Sequence, residues 1–362
     1  MNTNTPTTRD ENQRNENRFE TICRLTKSIA ANMNNSLRQI DDINMQVRLL
    51  SFNAQVQAAK AGEAGRTFSV VANEIGNLST KTAGVAESLA AQTSQDIKQL
   101  AEISDRLASE VSGNRLVDLA LTNIDLIDRN LYERSCDVRW WATDTAVVEA
   151  LEQADESKRR FASERLGVIL NSYTVYLDLW IADLNGNVIA NGRPELYPGV
   201  VGSNVADQAW FRDALATASG DHYAAQDIEV AARLGSRQVA TYSTAVREGG
   251  RASGRVLGAL GIFFDWGSQA AAVVNGVRLT PEEKKLTRCM LVDREGRIIA
   301  SSDGKGILDE KFRIRGRAGA QKADFYTTAD GTAVGFAETP GDETYPGLGW
   351  FGVIEQKALR AD

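Results

Sequence analysis

The chain has few of the residues that enzyme sites require. Among 362 residues it contains one histidine, His222, and three cysteines, Cys23, Cys136 and Cys289. A single histidine and widely separated cysteines favour neither a nucleophilic triad, a zinc site nor a disulfide framework. The sequence also has no phosphate-binding glycine loop and no nucleophile-elbow motif. We therefore expect no catalytic residue, no metal and no cofactor, and interpret the protein as not an enzyme.

Long apolar runs are also missing. The longest, Val256 to Phe264, is far below the roughly 20 residues that a membrane helix needs. The first residues are polar and mixed in charge, without the apolar core of a secretion signal. We therefore expect no direct membrane span and a cytoplasmic protein. The formal net charge of -7 argues against nucleic acid as a partner.

What the chain does have is a long heptad pattern on both sides of a short glycine segment. From Ile22 to Ala61 the positions at alternating steps of four and three are mostly apolar, and the period resumes from Phe68 to Leu89. The segment between them, Ala61–Arg66, reads Ala-Gly-Glu-Ala-Gly-Arg. Two amphipathic helices separated by two glycines predict an antiparallel coiled-coil hairpin. Because two arms alone would leave much apolar surface uncovered, we expect a homodimer that forms a four-helix bundle.

Composition sets the expected limits of this hairpin. Residues 1–18 are polar and predict a disordered tail, and residues 19–112 hold the two arms. The return arm should end near Gly113, which we expect to be the joint to the next domain. A further helical pattern begins near Leu116 and runs to about Ala154.

The rest of the chain carries an internal repeat. An apolar strand, an aspartate, a turn with glycine and a second apolar strand occur around Asp183 and again around Asp293. The repeat predicts two related α/β modules, at about 156–275 and about 285–356, within a domain that spans residues 113–362. The predicted fold class is therefore α+β and multidomain, with the helical hairpin followed by two sheet modules on a long helix.

The bend carries a more specific signal than the heptad period. Its residues resemble, in register and without gaps, the signalling tip of methyl-accepting chemotaxis receptors over about 40 residues. The matching residues are Ile43, Gln46, Leu49, Leu50, Asn53, Ala54, Val56, Ala58, Ala59, Ala61, Gly62, Glu63, Gly65, Arg66, Phe68, Val70, Val71, Ala72, Glu74 and Leu78. Helix packing alone requires only apolar residues at this spacing, and it does not require the polar Asn53, Glu63 and Glu74.

The resemblance implies two sets of contacts at the tip. The first set would dock the chemotaxis histidine kinase CheA and the coupling protein CheW through Asn53, Val56, Glu63, Val70 and Glu74. The second would join receptor dimers as trimers through Met45, Leu49, Phe52, Gln57, Lys60 and Arg66. The chain departs from the family pattern at Gln57 and Lys60, which softens an ionic contact between dimers. No adjacent Glu/Gln pair lies between Glu20 and Ser112, so we expect no conventional methyl acceptance.

Residues 116 to 356 resemble, more loosely, the double Cache domain, a two-module PAS-like sensor of many bacterial receptors. The likeness lies in Asp207–Ala214 and in the strand Val256–Leu260. It implies an unknown small-molecule ligand held by Trp210, Phe211, Tyr223, Asp227 and Tyr242, with Trp180 as a further candidate and with Arg233 and Arg237 as a candidate anion clamp. Amino-acid-sensing members carry Arg and Asp where this chain has Gln208 and Phe263. We therefore expect that α-amino acids do not bind in the family's usual way.

Taken together, the two resemblances imply a chemoreceptor whose hairpin precedes its sensor. In this hypothesis, ligand binding shifts the helix after Gly113 and thereby changes kinase activity at the tip. One alternative is a scaffold that joins receptor arrays as a coiled-coil protein without sensing. Another is an enzyme with a coiled-coil appendage, which the lack of catalytic motifs disfavours.

Overall fold

The computed structural model describes residues 8–153, 155–315 and 321–358. The chain divides into two compact units, Met1–Ser112 and Gly113–Asp362. No helix among the described residues is both long enough and apolar enough to cross a membrane. The combination of long helices and antiparallel sheets confirms the predicted α+β multidomain fold class.

Two long helices and a short turn make up the N-terminal part of the chain. Helix α1 spans Thr8–Lys60, a turn of 3-10 helix spans Gly62–Gly65, and helix α2 spans Arg66–Trp141. The start of α1 overlaps the predicted tail over residues 1–18, of which residues 1–7 lie outside the described part of the chain. Polar residues such as Glu, Gln and Arg are good helix formers, so a helix can extend beyond its apolar stripe.

The return arm does not end near Gly113 as expected, because α2 runs through this residue without interruption, although the two compact units divide between Ser112 and Gly113. A glycine inside a helix costs only about 1 kcal/mol relative to alanine. Packing explains why glycine is present: a Cβ on Gly113 would lie 2.1 Å from a ring carbon of Phe325. The glycine therefore makes room for an aromatic ring instead of ending the helix.

Small side chains form the contact between the two arms of the hairpin. From Asn44 to Ala86 the buried residues recur every seven positions: Asn44, Ser51 and Ala58 on α1, Gly65 in the turn, and Ala72, Ser79 and Ala86 on α2. Ser51 Oγ donates to the Ala72 carbonyl at 2.7 Å, and Ser79 Oγ donates to the Asn44 carbonyl at 3.1 Å. The apolar heptad stripe instead lies on the surface of the single chain, where Leu50 is 65% exposed.

The C-terminal unit contains two antiparallel sheets. After α3 (Thr145–Glu152) and α4 (Glu156–Ser172), the first sheet has the strands β1 (Tyr176–Asp183), β2 (Val188–Asn191), β3 (Ala224–Ala225), β4 (Glu229–Ala231), β5 (Arg237–Arg247) and β6 (Val256–Asp265), with α5 (Ala209–Leu215) between β2 and β3. The helices α6 (Trp266–Asn275) and α7 (Pro281–Leu286) lead to β7 (Thr287–Val292), β8 (Ile298–Ser301), β9 (Ala323–Thr327), β10 (Ala333–Glu338) and β11 (Phe351–Gln356).

The two sheets share one strand order, as the internal repeat indicates. The first is ordered β2-β1-β6-β5-β3, with β4 also paired to β5, and the second is ordered β8-β7-β11-β10-β9. The first turn of each sheet is built alike: Asp183 Oδ1 accepts from the backbone N–H groups of residues 185 and 187, and Asp293 Oδ1 accepts from those of residues 295 and 297. Gly186 and Gly296 adopt φ values of 80° and 85°, which residues with a side chain rarely adopt.

Both sheets pack against the C-terminal half of α2. On the second sheet, a Cβ on Gly352 would lie 2.1 Å from the carbonyl oxygen of Ala120, so helix and strand are in backbone contact there. On the first sheet, the hydroxyl of Tyr176 donates to Asp137 Oδ2 at 2.5 Å, and the Arg134 guanidinium lies 5.0 Å from the ring centre of Tyr176. Movement of α2 relative to either sheet would therefore break specific contacts.

Candidate functional site

The bend between α1 and α2 is closed by backbone contacts. The Ala61 N–H lies 3.1 Å from the Gln57 carbonyl oxygen and 3.2 Å from that of Ala58. Gly62 adopts a φ of 57°, in the left-handed region that favours glycine. A Cβ on Gly65 would lie 2.1 Å from the Ala58 carbonyl oxygen. The two glycines of the motif therefore have different roles. Gly62 adopts a left-handed backbone conformation, and Gly65 allows close packing against the backbone of Ala58.

The bend presents the residues that the resemblance assigns to partner contacts. All eleven are exposed in the single chain: Met45, Leu49, Phe52, Asn53, Val56, Gln57, Lys60, Glu63, Arg66, Val70 and Glu74. Several are large and apolar, with Met45 at 64% exposure and Phe52 at 63%. Contiguous exposed apolar side chains are typical of interaction surfaces. The roles of these residues stay predictions.

Within the C-terminal unit, Trp210 and Phe211 lie in a packed core beneath α5. Trp210 is 1% exposed, and its ring centre lies 6.4 Å from that of Trp180 and 5.7 Å from that of Phe263. A Cβ on Gly261 would lie 2.8 Å from the Trp210 ring. Aromatic side chains therefore fill this face of the first sheet.

The other predicted ligand residues lie in a different cluster. Tyr242 stacks on Tyr223 with ring centres 5.9 Å apart, and its hydroxyl donates to that of Tyr345 at 3.1 Å. Asp227 Oδ1 accepts from Trp350 Nε1 at 2.8 Å. Burial raises the pKa of both Tyr242 and Asp227. These contacts join the first sheet to the second, and the structure does not bring the five predicted residues together.

The positions that distinguish amino-acid sensors are occupied by internal contacts. Gln208 Oε1 accepts from Trp210 Nε1 at 2.6 Å, and Phe263 packs on Trp180 with ring centres 4.2 Å apart. Neither residue supplies a charged group for a carboxylate or an ammonium.

Titration of the full chain with the twenty common amino acids is accordingly expected to show no saturable heat at micromolar concentrations. Isothermal calorimetry checks this expectation. A micromolar dissociation constant for any free α-amino acid would contradict it.

The two arginines proposed as an anion clamp differ in their surroundings. Arg237 Nη2 donates to Asp265 Oδ2 at 2.7 Å and to Ser268 Oγ at 3.1 Å. The charge of Arg237 is therefore already paired, while Arg233 lies exposed on a turn of 3-10 helix. The partner of Arg237 comes from the end of β6, which sequence spacing does not reveal.

Three carboxylates, those of Asp227, Asp293 and Glu295, have oxygens within 4.8 Å of one another. Their surroundings already supply positive charge and donors. Asp293 Oδ2 accepts from Arg297 Nε at 2.8 Å, and Asp227 accepts from Trp350. This cluster could offer oxygen ligands to a hard cation, but Asp227 and Asp293 already accept hydrogen bonds from protein groups.

The buried polar residues of α2 were not predicted from the sequence. Asp128 accepts from the hydroxyl of Thr339 and from the Gly341 N–H, the latter at 2.9 Å. Burial raises the pKa of Asp128, and the two donors partly offset this. The available signal was a set of charged residues, including Arg134 and Asp137, within an otherwise apolar helix pattern. Such residues fix the position of α2 because a buried polar group must keep its partner.

Residues 2–139 match the methyl-accepting chemotaxis protein signalling domain. Methyl-accepting chemotaxis protein Amb0994 of Paramagnetospirillum magneticum is 49% identical over 53 residues, which cover 15% of this chain and 12% of that protein. Methyl-accepting chemotaxis protein IV of Escherichia coli is 40% identical over 89 residues, covering 24% of this chain and 15% of that protein. The matched stretches thus span less than a sixth of either relative.

Solved sensor domains resemble the rest of the chain in fold. The ligand-binding domain of the Campylobacter jejuni chemoreceptor Tlp3, in complex with 4-methylisoleucine, aligns with a TM-score of 0.50 at 13% identity, covering 68% of this chain and 91% of that one. A sensory box/GGDEF family domain from Vibrio parahaemolyticus aligns with a TM-score of 0.51 at 11% identity, covering 69% and 97%. At these identities the likeness concerns the fold alone. The N-terminal helices of this chain are therefore similar to the signalling domain of methyl-accepting chemotaxis proteins, and they are joined to a domain whose fold resembles that of solved sensor domains.

Proposed function

We propose that the protein is a cytoplasmic chemoreceptor that senses a small molecule in its C-terminal unit and controls the kinase CheA, together with CheW, through its bend. The observation that carries the proposal is the exposure of all eleven tip residues in a segment that matches the signalling domain. A hairpin that served only as a spacer would not need this surface. The sensor-type fold of the C-terminal unit supports the sensing half of the proposal.

In this proposal, the functional oligomeric state of the protein is a homodimer. Ile43 and Leu50 on α1, and Leu78 and Val85 on α2, are between 58% and 68% exposed in the single chain. These residues belong to the heptad stripe, whereas the contact between the arms uses small residues. A second copy would cover the stripe and complete a four-helix bundle.

Helix α2 supplies the route of transmission. It begins at the bend, at Arg66, and ends at Trp141, after packing against both sheets of the C-terminal unit. A ligand that favours one position of α2 over another would change the balance between two packing states of the helix. The coupling can be no larger than the ligand's difference in affinity for those states.

Reconstitution with purified CheA and CheW tests the proposal. We expect the full chain to bind the kinase and coupling protein and to change the rate of kinase autophosphorylation several-fold. Binding without any change in rate would favour the scaffold alternative. Absence of binding at micromolar concentrations would refute the proposed function.

Helical phase provides a second prediction. One residue inserted after Ser112 rotates the following part of an ideal helix by about 100°, whereas seven residues restore its phase to within about 20°. The one-residue insertion is expected to change basal kinase activity several-fold, and the seven-residue insertion to retain most of it. Kinase assays on both variants provide the measurement, and equal activities would show that rotation of α2 does not carry the signal.

A further inference from the structure

A cavity of about 330 Å³ lies between the C-terminal end of α2 and the first sheet, apart from the residues predicted to hold a ligand. Cys136, Arg139 and Trp140 line it from α2, and Arg247 lines it from the end of β5. Its volume is within the range of small-molecule sites in proteins.

Positive charge dominates the lining. Three arginines, Arg139, Arg247 and Arg251, and one acidic residue, Asp221, line the cavity, which leaves an excess of two positive charges. The whole chain has a formal net charge of -7, so this excess is local and opposite in sign to the average surface. Closely placed guanidinium groups are well suited to binding carboxylate or phosphate.

Arg247 is the buried member of the three arginines. It is 9% exposed, and its Nη1 donates to the Gly254 carbonyl at 3.1 Å while Nη2 donates to the Thr217 carbonyl. Its Nε has no hydrogen-bond partner among the described residues. Two carbonyl dipoles stabilise this charge less than a carboxylate would. A buried charge lowers the stability of the folded protein unless an opposite charge lies near it. An anion bound in the cavity would therefore stabilise the protein by pairing with Arg247.

Arg139 and Trp140 are positioned to complete such a site. Arg139 Nε donates to the Ser135 carbonyl at 2.8 Å, and its guanidinium lies 5.6 Å from the ring centre of Tyr223. These contacts restrict the side chain before any ligand arrives, which lowers the entropic cost of binding. The Trp140 side chain is 67% exposed, so a flat apolar surface borders the charged groups.

We infer that this cavity binds a small organic anion, with its carboxylate or phosphate near Arg139, Arg247 and Arg251 and its flat apolar part against Trp140. Such a ligand would connect the end of α2 to the first sheet, because the helix and the β5 region contribute separate sides of the cavity. The role of the site in signalling rests on the proposed function, whereas binding itself does not.

Calorimetry on the full chain tests the inference with three probes of similar shape: benzoate, phenyl phosphate and the neutral benzamide. Saturable binding of at least one anion is expected, with benzamide at least ten-fold weaker. The two anions distinguish a carboxylate site from a phosphate site. The Arg251→Gln variant should weaken binding of the anion at least ten-fold, equivalent to about 1.4 kcal/mol.

Arg255→Gln is the matched control. Arg255 is also exposed and lies on the same connection, but it pairs with Glu248 at 3.5 Å and does not line the cavity. It should change the affinity less than two-fold, and both variants should keep the melting temperature of the parent. Equal binding of benzoate and benzamide, equal losses in the two variants, or no binding of either anion at millimolar concentration would each overturn the inference. No kinase is present in these measurements, so their outcome is separate from that of the proposed function.

Discussion

Replacing Glu74 by lysine is expected to reduce control of CheA by at least ten-fold. Glu74 is exposed on α2, close to the bend, and belongs to the residues that the resemblance assigns to docking of the kinase and coupling protein. Reversal of a charge inside an interface can place like charges opposite each other, which costs on the order of several kcal/mol, whereas a ten-fold loss requires only about 1.4 kcal/mol. Because the side chain is exposed, the change should alter the stability of the hairpin by only about 0.5 kcal/mol or less.

Glu87→Lys provides the control for this prediction. Glu87 is exposed on the same helix and its substitution makes the same change in charge, but it lies outside the matched tip. Autophosphorylation of CheA should be measured with each variant and CheW, alongside helix content by circular dichroism. If Glu87→Lys lowered kinase control as much as Glu74→Lys, the effect would reflect overall charge and not docking at the tip.

The hairpin was predictable because its motif is local. The heptad period and the two glycines specify the helices and the bend, and contacts such as Ser51 to Ala72 then follow from antiparallel pairing. The sequence did not reveal which stripe joins the arms. Small residues such as Ser51 and Ala58 carry little hydrophobic signal, yet they allow close approach of two helices, while the conspicuous apolar stripe stays on the surface.

The interior of the C-terminal unit was less predictable because the same residue types occur in cores and in pockets. Trp210 and Phe211 fit either role, and only their burial and the contacts of Trp210 with Trp180 and Phe263 identify them as packed core. The arginine-lined cavity was missed for a different reason. Its sides come from α2 and from the β5 region, about a hundred residues apart in the sequence, so no local pattern marks it.

The contact between α2 and the second sheet leads to the last prediction, which concerns stability. Gly352 lies on β11 where a Cβ would be 2.1 Å from the Ala120 carbonyl oxygen and 2.9 Å from its carbonyl carbon. The obstructing atoms are helix backbone, which cannot move aside as a flexible side chain can. The Gly352→Ala variant must therefore separate α2 from the strand, with loss of the tight packing on both sides.

We expect Gly352→Ala to lower the stability of the C-terminal unit by about 3 kcal/mol, which for a unit of this size corresponds to a fall in melting temperature of about 6 to 12 °C. Gly199→Ala is the control, because no atom lies within 4 Å of a Cβ placed there, and it should shift the melting temperature by only about 2 °C or less. Thermal unfolding followed by tryptophan fluorescence compares the two. Since α2 also begins at the bend, a folded Gly352→Ala protein should show altered basal kinase activity below its melting temperature. Unchanged stability and unchanged kinase activity together would mean that the helix and the sheet do not need this backbone contact.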